Sequence, residues 1–264
     1  MSEEQRDLTP RQWDRRKFIA FGVFGVFGAA ALGVRQWIAG APKKDGVPAP
    51  LRSVLDFNDR VNDSYKSDAN LVKEYPLSAA AKKVRVNGHD GLKNAIDLST
   101  WMLEVHSGAL GASAAQRISM DAIRALPKTE IVFDFKCIEG WSQISHWGGV
   151  RFKDFAAAFQ VGGKSGGALS DHPSDEHYRY MGLRTPDGGY YVGIDMASAL
   201  HPQTILAYEM NGAPLPMDQG APLRLIIPTK YGVKNLKRIG TMFFSDAPPP
   251  DYWAERGYDY DAGL

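Results

Sequence analysis

Two stretches of this chain carry residue types that could do chemistry. The first is FDFKCIEGWSQISHWGG, Phe133 to Gly149, which holds Cys137, the only cysteine in 264 residues. A thiolate is a soft metal ligand or a nucleophile, whereas a lone cysteine on a strand is more often a small buried hydrophobe. As a nucleophile it would need a base or a helix terminus beside it, and the neighbouring sequence shows neither. The second stretch is DQGAPLRLIIPTKYGVKNLKRIG, Asp218 to Gly240, where Arg224, Lys230, Lys234, Lys237 and Arg238 crowd around turns made by Gly220, Pro222, Pro228 and Gly232. Those cations make either an exposed basic strand edge or, beside glycine-freed backbone N–H groups, a pocket for a phosphate or similar anion. The residues alone leave both readings open.

Other chemistries find less support. His172 and His177 stand five apart in a loop, and His89, His106, His146 and His201 are scattered, which argues against a zinc or iron site built from protein ligands alone. Haem-attachment, iron–sulfur and glycine-rich dinucleotide motifs are missing from the sequence. A formal charge of +1 gives no bulk reason to expect nucleic acid. One cysteine forms no internal disulfide, so cysteine usage does not decide the compartment.

The elements that must position these stretches read as follows. Ser53 to Tyr65 predicts a helix, with Val54, Leu55, Phe57 and Val61 apolar and Asn58 and Asn62 on one face. VRVNGHDG, Val84 to Gly91, reads as a strand entering a glycine turn, and Ser99 to His106 alternates like a half-buried strand. Ser119 caps a short helix closed by Pro127, and Glu130 to Phe135 is the strand that delivers Cys137. Phe152 to Gln160 predicts a helix and residues 161–177 a glycine-rich loop. YRYMGLRT and YYVGID flank the turn Pro186 to Gly189; a helical turn at ASALHP and strands at LAYEMNG, LRLIIPT and GTMFFS complete the set. Many strands with few short helices, out of regular alternation, predict a mixed, mainly-β α+β domain.

Residues 1–40 look like an export segment. Arg15, Arg16 and Lys17 precede the uncharged run Phe18 to Val34, and DRRKFIA (Asp14 to Ala20) resembles a twin-arginine signal, the route of proteins exported already folded. Pro42 follows the small-residue site Ala39 to Ala41 and disfavours cleavage. Phe18 to Ile38 is therefore expected to remain as an inner-membrane anchor with the domain in the periplasm, cleavage to a soluble form being the alternative. A proline-rich linker, residues 41–50, leads to a catalytic domain at 51–246 and a tail at 247–264, predicted to be a loosely packed surface strap.

CIEGWS followed by HWGGVRFKDF, then NGAPLP, GAPLRLIIP and KYGVKNLK in that order, resembles the molybdenum-cofactor domain of the sulfite oxidase family. Within it the likeness is closest to the bacterial periplasmic branch that includes the methionine sulfoxide reductase catalytic subunit. The resemblance implies a sulfite-oxidase-type molybdopterin-binding fold in which Cys137 supplies the thiolate that binds molybdenum. It implies that Thr185, Arg224, Asn235, Leu236 and Lys237 hold the pterin and its phosphate, and that Asn58 contacts the pterin. Gln219 stands where the reductase branch has asparagine and sulfite oxidases have histidine. The implied activity is oxygen-atom transfer, as reduction of a sulfoxide or related S- or N-oxide, small or protein-borne. The alternatives are sulfite oxidation and an anchored binding domain that has lost its cofactor. Arg151, Arg184 and His146 are the nearest sequence candidates for steering substrate. With no fused haem domain expected, electrons would come from a separate membrane or periplasmic cytochrome.

Overall fold

The computed structural model describes residues 32–44, 47–65, 71–109, 111, 114–164 and 176–264. Arg15, Arg16, the apolar run as far as residue 31, and His172 with most of the glycine-rich loop lie outside them. Among the described residues no helix is long and apolar enough to cross a membrane. The chain divides into two units, Met1–Asp56 and Phe57–Leu264.

In the first unit residues 32–40 are helical, and β1 (Lys43–Lys44) pairs antiparallel with β2 (Val47–Pro48). Helix α1 (Ala49–Tyr65) starts directly after β2, four residues before the expected Ser53. Pro50 fits in its first turn, where a missing N–H leaves no bond unmade. The Ser53 hydroxyl donates back to the Ala49 carbonyl at 3.0 Å, so it sits inside the helix and does not begin it. Of the apolar residues of the predicted amphipathic pattern, Val54, Phe57 and Val61 are exposed and Leu55 is half-buried.

The second unit holds two five-stranded sheets. One is antiparallel, in the order β10 (Ala213–Pro214), β9 (Ile205–Met210), β6 (Ser142–Arg151), β5 (Lys128–Lys136), with β11 (Arg224–Ile226) also pairing with β9. The other is mixed, in the order β4 (Gln116–Ser119), β3 (Met102–Val105), β12 (Thr241–Ser245), β7 (Tyr180–Arg184), β8 (Tyr191–Asp195). Its single parallel pair is β12 with β3. Helices α2 (Met120–Arg124), α3 (Phe152–Phe159) and α4 (Met196–Leu200) are short, and the side chains of Ser119 and Asp195 cap α2 and α4. This is the mainly-β α+β architecture that the strand count predicts.

One core cluster joins Leu103, Phe155, Met181, Ile194, Leu225 and Phe244, and a smaller one collects Ile131, Phe133, Trp147 and Ile226 under the antiparallel sheet. Strand β6 has no counterpart among the predicted strands, because glycines at 148 and 149 weaken the strand signal. Those glycines are structural. A Cβ at Gly149 would lie 2.2 Å from the Leu206 carbonyl oxygen, where β6 shifts register against β9. VRVNGHDG departs from expectation in the other direction: residues 84–89 belong to no strand. Their backbone is held by side chains instead, with Arg85 N–H donating to Gln143 Oε1 at 2.8 Å and the Arg85 carbonyl accepting from Gln219 Nε2 at 3.1 Å.

Candidate active site

Cys137 opens the hairpin loop between β5 and β6, immediately after the pair Lys136 and Ser142. Its N–H donates to the Trp141 carbonyl at 2.9 Å, and Gly140 N–H donates to the Cys137 carbonyl at 3.0 Å. Gly140 supplies the left-handed backbone (φ 87°) that closes this loop. The thiol is 7% exposed and lies 3.7 Å from Asn87 Nδ2. It lines a cavity of about 330 Å³.

Five segments far apart in sequence build that cavity, one of them supplying Tyr190 just before β8. Residues 84–90 bring Arg85, Asn87 and Asp90, and the hairpin brings Phe135, Cys137, Glu139, Trp141 and Trp147. The basic segment brings Gln219, Arg224, Asn235 and Lys237, and the tail brings Trp253 and Tyr258. Trp141 stacks on Phe135 with centroids 6.2 Å apart, carries the Arg85 guanidinium 4.7 Å from its ring, and donates its indole N–H to Glu139 Oε2 at 3.1 Å.

The exposed-edge reading of the basic segment fails, because Arg224, Lys230, Lys234 and Arg238 are all at most 3% exposed. Arg224 donates to the backbone and side-chain oxygens of Gln219 at 3.0 and 3.1 Å and to the Asn235 carbonyl at 3.3 Å. It also lies 4.6 Å from the Trp147 ring. Its Nε is buried with no partner, an unusual state for a donor with a full desolvation cost. Burial pushes the Arg224 guanidinium down to about 9, so it stays charged at neutral pH. Burial, helped by the nearby Arg224 charge, holds the Lys237 ammonium down at about 8. That ammonium donates to three carbonyls, Asn87 at 2.7 Å, Gly88 at 3.2 Å and Asp218 at 3.0 Å, so it meets an incoming anion with charge more than with a free N–H.

The cavity therefore gathers Cys137, Gln219, Arg224, Asn235 and Lys237 of the expected set. The structure does not bring the other three there. Thr185 is buried, and its hydroxyl is used inside the β7–β8 turn, donating to Asp187 Oδ1 at 2.7 Å and accepting from Tyr190 N–H at 3.1 Å. Leu236 is a core residue whose N–H donates to the Lys234 carbonyl. Asn58 is exposed on α1 and does not line the cavity; the asparagine at the thiol is Asn87. The three steering candidates also lie elsewhere. Strand alternation turns His146 away from the face shared by Ser145 and Trp147, and its Nε2 lies 3.6 Å from Glu130. Arg151 is exposed at the end of β6, and Arg184 lies over the Phe243 ring. Arg85 and Asn87 stand in a segment whose pattern resembles a strand, and the polar glycine turn Asn87 to Gly91 is the sequence signal that points to them.

Comparison with known proteins gives the family of the chain. The family model for the oxidoreductase molybdopterin binding domain matches residues 74–253. This chain belongs to that family. Across the curated relatives, it is 34% identical over 221 residues to a chain of Azospira oryzae named for a protein-methionine-sulfoxide reductase, its subunit YedZ1, covering 83% of this chain and 78% of that one. It is 32% identical over 163 residues to the protein-methionine-sulfoxide reductase catalytic subunit MsrP of Xanthomonas campestris, covering 60% of this chain and 49% of that protein. The chain thus spans about half the length of that MsrP. Among solved structures, the sulfane dehydrogenase SoxCD of Paracoccus pantotrophus aligns with TM-score 0.47 at 14% identity, over 59% of this chain and 40% of that chain.

The residues of this molybdopterin-binding domain fit the group that the family binds. A thiol faces the cavity, a buried guanidinium Nε awaits an acceptor, and three cations, Arg85, Arg224 and Lys237, outnumber the lining carboxylates Asp90 and Glu139. Among the described residues no group of three or more His, Cys, Asp or Glu could hold a metal ion unaided. Cys137 is the one thiol available, with the remaining donors coming from the cofactor's own sulfurs.

Proposed function

We propose that this oxidoreductase reduces the sulfoxide of a methionyl side chain, returning the thioether and water. The observation that carries the reading is the Cys137 thiol held in a cation-lined cavity, on a chain 34% identical to a protein named for that reaction. Bound molybdenum supplies the oxygen-atom transfer and the two-electron change. The rest falls to this chain's own residues. Cys137 offers its thiolate, and Asn87 Nδ2, 3.7 Å away, orients the sulfur. Arg224 Nε, Arg85 and Lys237 hold the anionic part of the cofactor and draw the polar S=O inward. The sulfoxide takes up two protons and two electrons as its oxygen leaves as water. Glu139, whose Oε2 is fixed by Trp141, keeps Oε1 to carry a proton. The electrons come from a separate membrane or periplasmic electron-transfer protein. Residues 18–38 hold the domain at the periplasmic face of the inner membrane after twin-arginine export.

The same cations would also receive sulfite, so the test is a panel. The full chain, matured in a cofactor-producing host, is given methionine-sulfoxide peptide, dimethyl sulfoxide and an N-oxide with a reduced dye, and sulfite with an oxidised one. Turnover of the peptide is expected. Sulfite oxidation without sulfoxide reduction would overturn the assignment. Cell fractionation tests the anchor: a mature protein starting at Pro42 and free of the membrane would remove it.

A further inference from the structure

The tail returns to the cavity, and charge holds it there. Asp251 Oδ2 accepts from Lys234 Nζ at 2.5 Å and from Gly193 N–H at 3.2 Å, while Oδ1 accepts from the N–H groups of Trp253 and Ala254 at 3.2 and 3.1 Å. Lys234 is 1% exposed and Asp251 3%. Lys230 adds a second tie, to Asp195 at 2.8 Å and to Asp261. Between these ties the chain turns back so that Tyr258 N–H donates to the Trp253 carbonyl at 3.0 Å, with Gly257 left-handed at φ 89°. The turn sets the Trp253 and Tyr258 rings edge to face, 5.0 Å apart at 66°, and both line the cavity that holds Cys137.

These rings face a cavity whose other lining mixes apolar side chains such as Phe135, Ile138 and Trp141 with polar and charged ones such as Asn87, Arg224 and Lys237, the Arg85 guanidinium lying over the Trp141 ring. Tyr258 stays 41% exposed, so the pair presents aromatic surface that a ligand can cover. A dialkyl sulfoxide can use both kinds of surface: its oxygen is a strong acceptor, while its carbons and polarisable sulfur favour aromatic rings. Sulfite and other small oxoanions have no alkyl part to use them.

We infer that Trp253 and Tyr258 are specificity-determining residues that seat the alkyl and sulfur portion of a methionyl sulfoxide, with Lys234 and Asp251 as their positioning pair. This rests on the sulfoxide-reductase reading above. The test uses the full molybdenum-loaded chain, wild type against Trp253→Ala, Trp253→Phe and Asp251→Asn, with molybdenum per chain measured for each. In Trp253→Ala the KM for a methionine-sulfoxide peptide is expected to rise about tenfold, equivalent to about 1.4 kcal/mol, while that for dimethyl sulfoxide rises far less. Trp253→Phe should restore most of the loss, and Asp251→Asn should reproduce it. Equal rises for both substrates, or a parallel fall in molybdenum content, would overturn the inference, the latter by making the ring a cofactor contact. Because Trp253 is only half-buried, its truncation tests the wall even where Asp251→Asn unfolds. Calorimetric titration with the same peptide separates the two readings. Binding without turnover, at least tenfold weaker in Trp253→Ala, keeps the wall and sinks the reductase assignment; no binding to wild type overturns the wall itself.

Discussion

The loop Cys137–Trp141 and the strap 251–261 line the same cavity and are held by different forces. The loop is fixed by its own backbone, through the reciprocal bonds of Cys137, Gly140 and Trp141, above strands paired from Lys128 with Val150 to Lys136 with Ser142. The strap is fixed by buried side-chain charge, with Lys234 to Asp251 and Lys230 to Asp195 and Asp261. Backbone bonds are made whatever the side chains are, whereas a buried ion pair depends on both partners and on their protonation. The thiol is thereby kept on the rigid wall, and the aromatic rings on the wall that substitution and pH can loosen.

Four changes would break or sharpen that contrast. Cys137→Ser has the largest expected effect. Loss of an outer-shell partner alone reduces metal affinity or activity about 10–100-fold, so loss of the sulfur ligand itself should exceed about a hundredfold, read as dye-linked turnover with metal analysis. The loop's backbone bonds remain, so the unfolding midpoint should stay close to wild type. A fully active variant would contradict the ligand assignment.

Next comes Lys234→Met, which leaves Asp251 buried without its partner. Urea unfolding should show a loss of about 3–5 kcal/mol, and proteolysis should begin within the strap while amides of β5 and β6 keep their hydrogen-exchange protection. Equal loss of protection in hairpin and strap would erase the distinction. Gly149→Ala attacks the other wall by crowding the Leu206 carbonyl, at an expected cost of about 1–3 kcal/mol. It should loosen the hairpin and leave the strap's protease resistance unchanged.

The smallest effect is a pH dependence. Lys237 titrates near 8 in the folded protein, against its ordinary value of 10.5. Between those values the unfolded chain binds the proton that the native chain has lost, so stability of cofactor-free protein should rise as pH rises through this window. Cofactor retention should move the opposite way, falling above about pH 8 as the charge that meets the anion disappears. Lys237→Met should flatten both trends; an unchanged slope in thermal unfolding or in molybdenum content would exclude Lys237 as their source.

Local patterning made much of the fold legible. Alternation marked β3, in which Leu103 and Val105 are buried while Met102 and Glu104 are exposed, and capping residues marked α2. It failed where local and tertiary demands conflict. Gly148 and Gly149 weaken the strand signal of β6, yet the backbone of β9 approaches too closely there for any side chain. In sequence Lys234 is one of several cations of either an exposed edge or an anion pocket, and the tail reads as a loose strap, because neither pattern records that Lys234 and Asp251 neutralise each other.

By itself the sequence determined the single thiol, the strand that carries it, the glycine turn that presents it, and the ordered motifs that mark the molybdopterin-binding family. These are local properties of spacing and residue type. Only the tertiary structure decided which residues meet that thiol. Lys237 reaches the Asn87 carbonyl across 150 positions and Gln219 reaches Arg85 across 134, contacts that no periodicity encodes. It also decided which of two lysines three residues apart faces the cavity, since burying the Lys234 charge became tolerable only when the chain's end brought Asp251 to it.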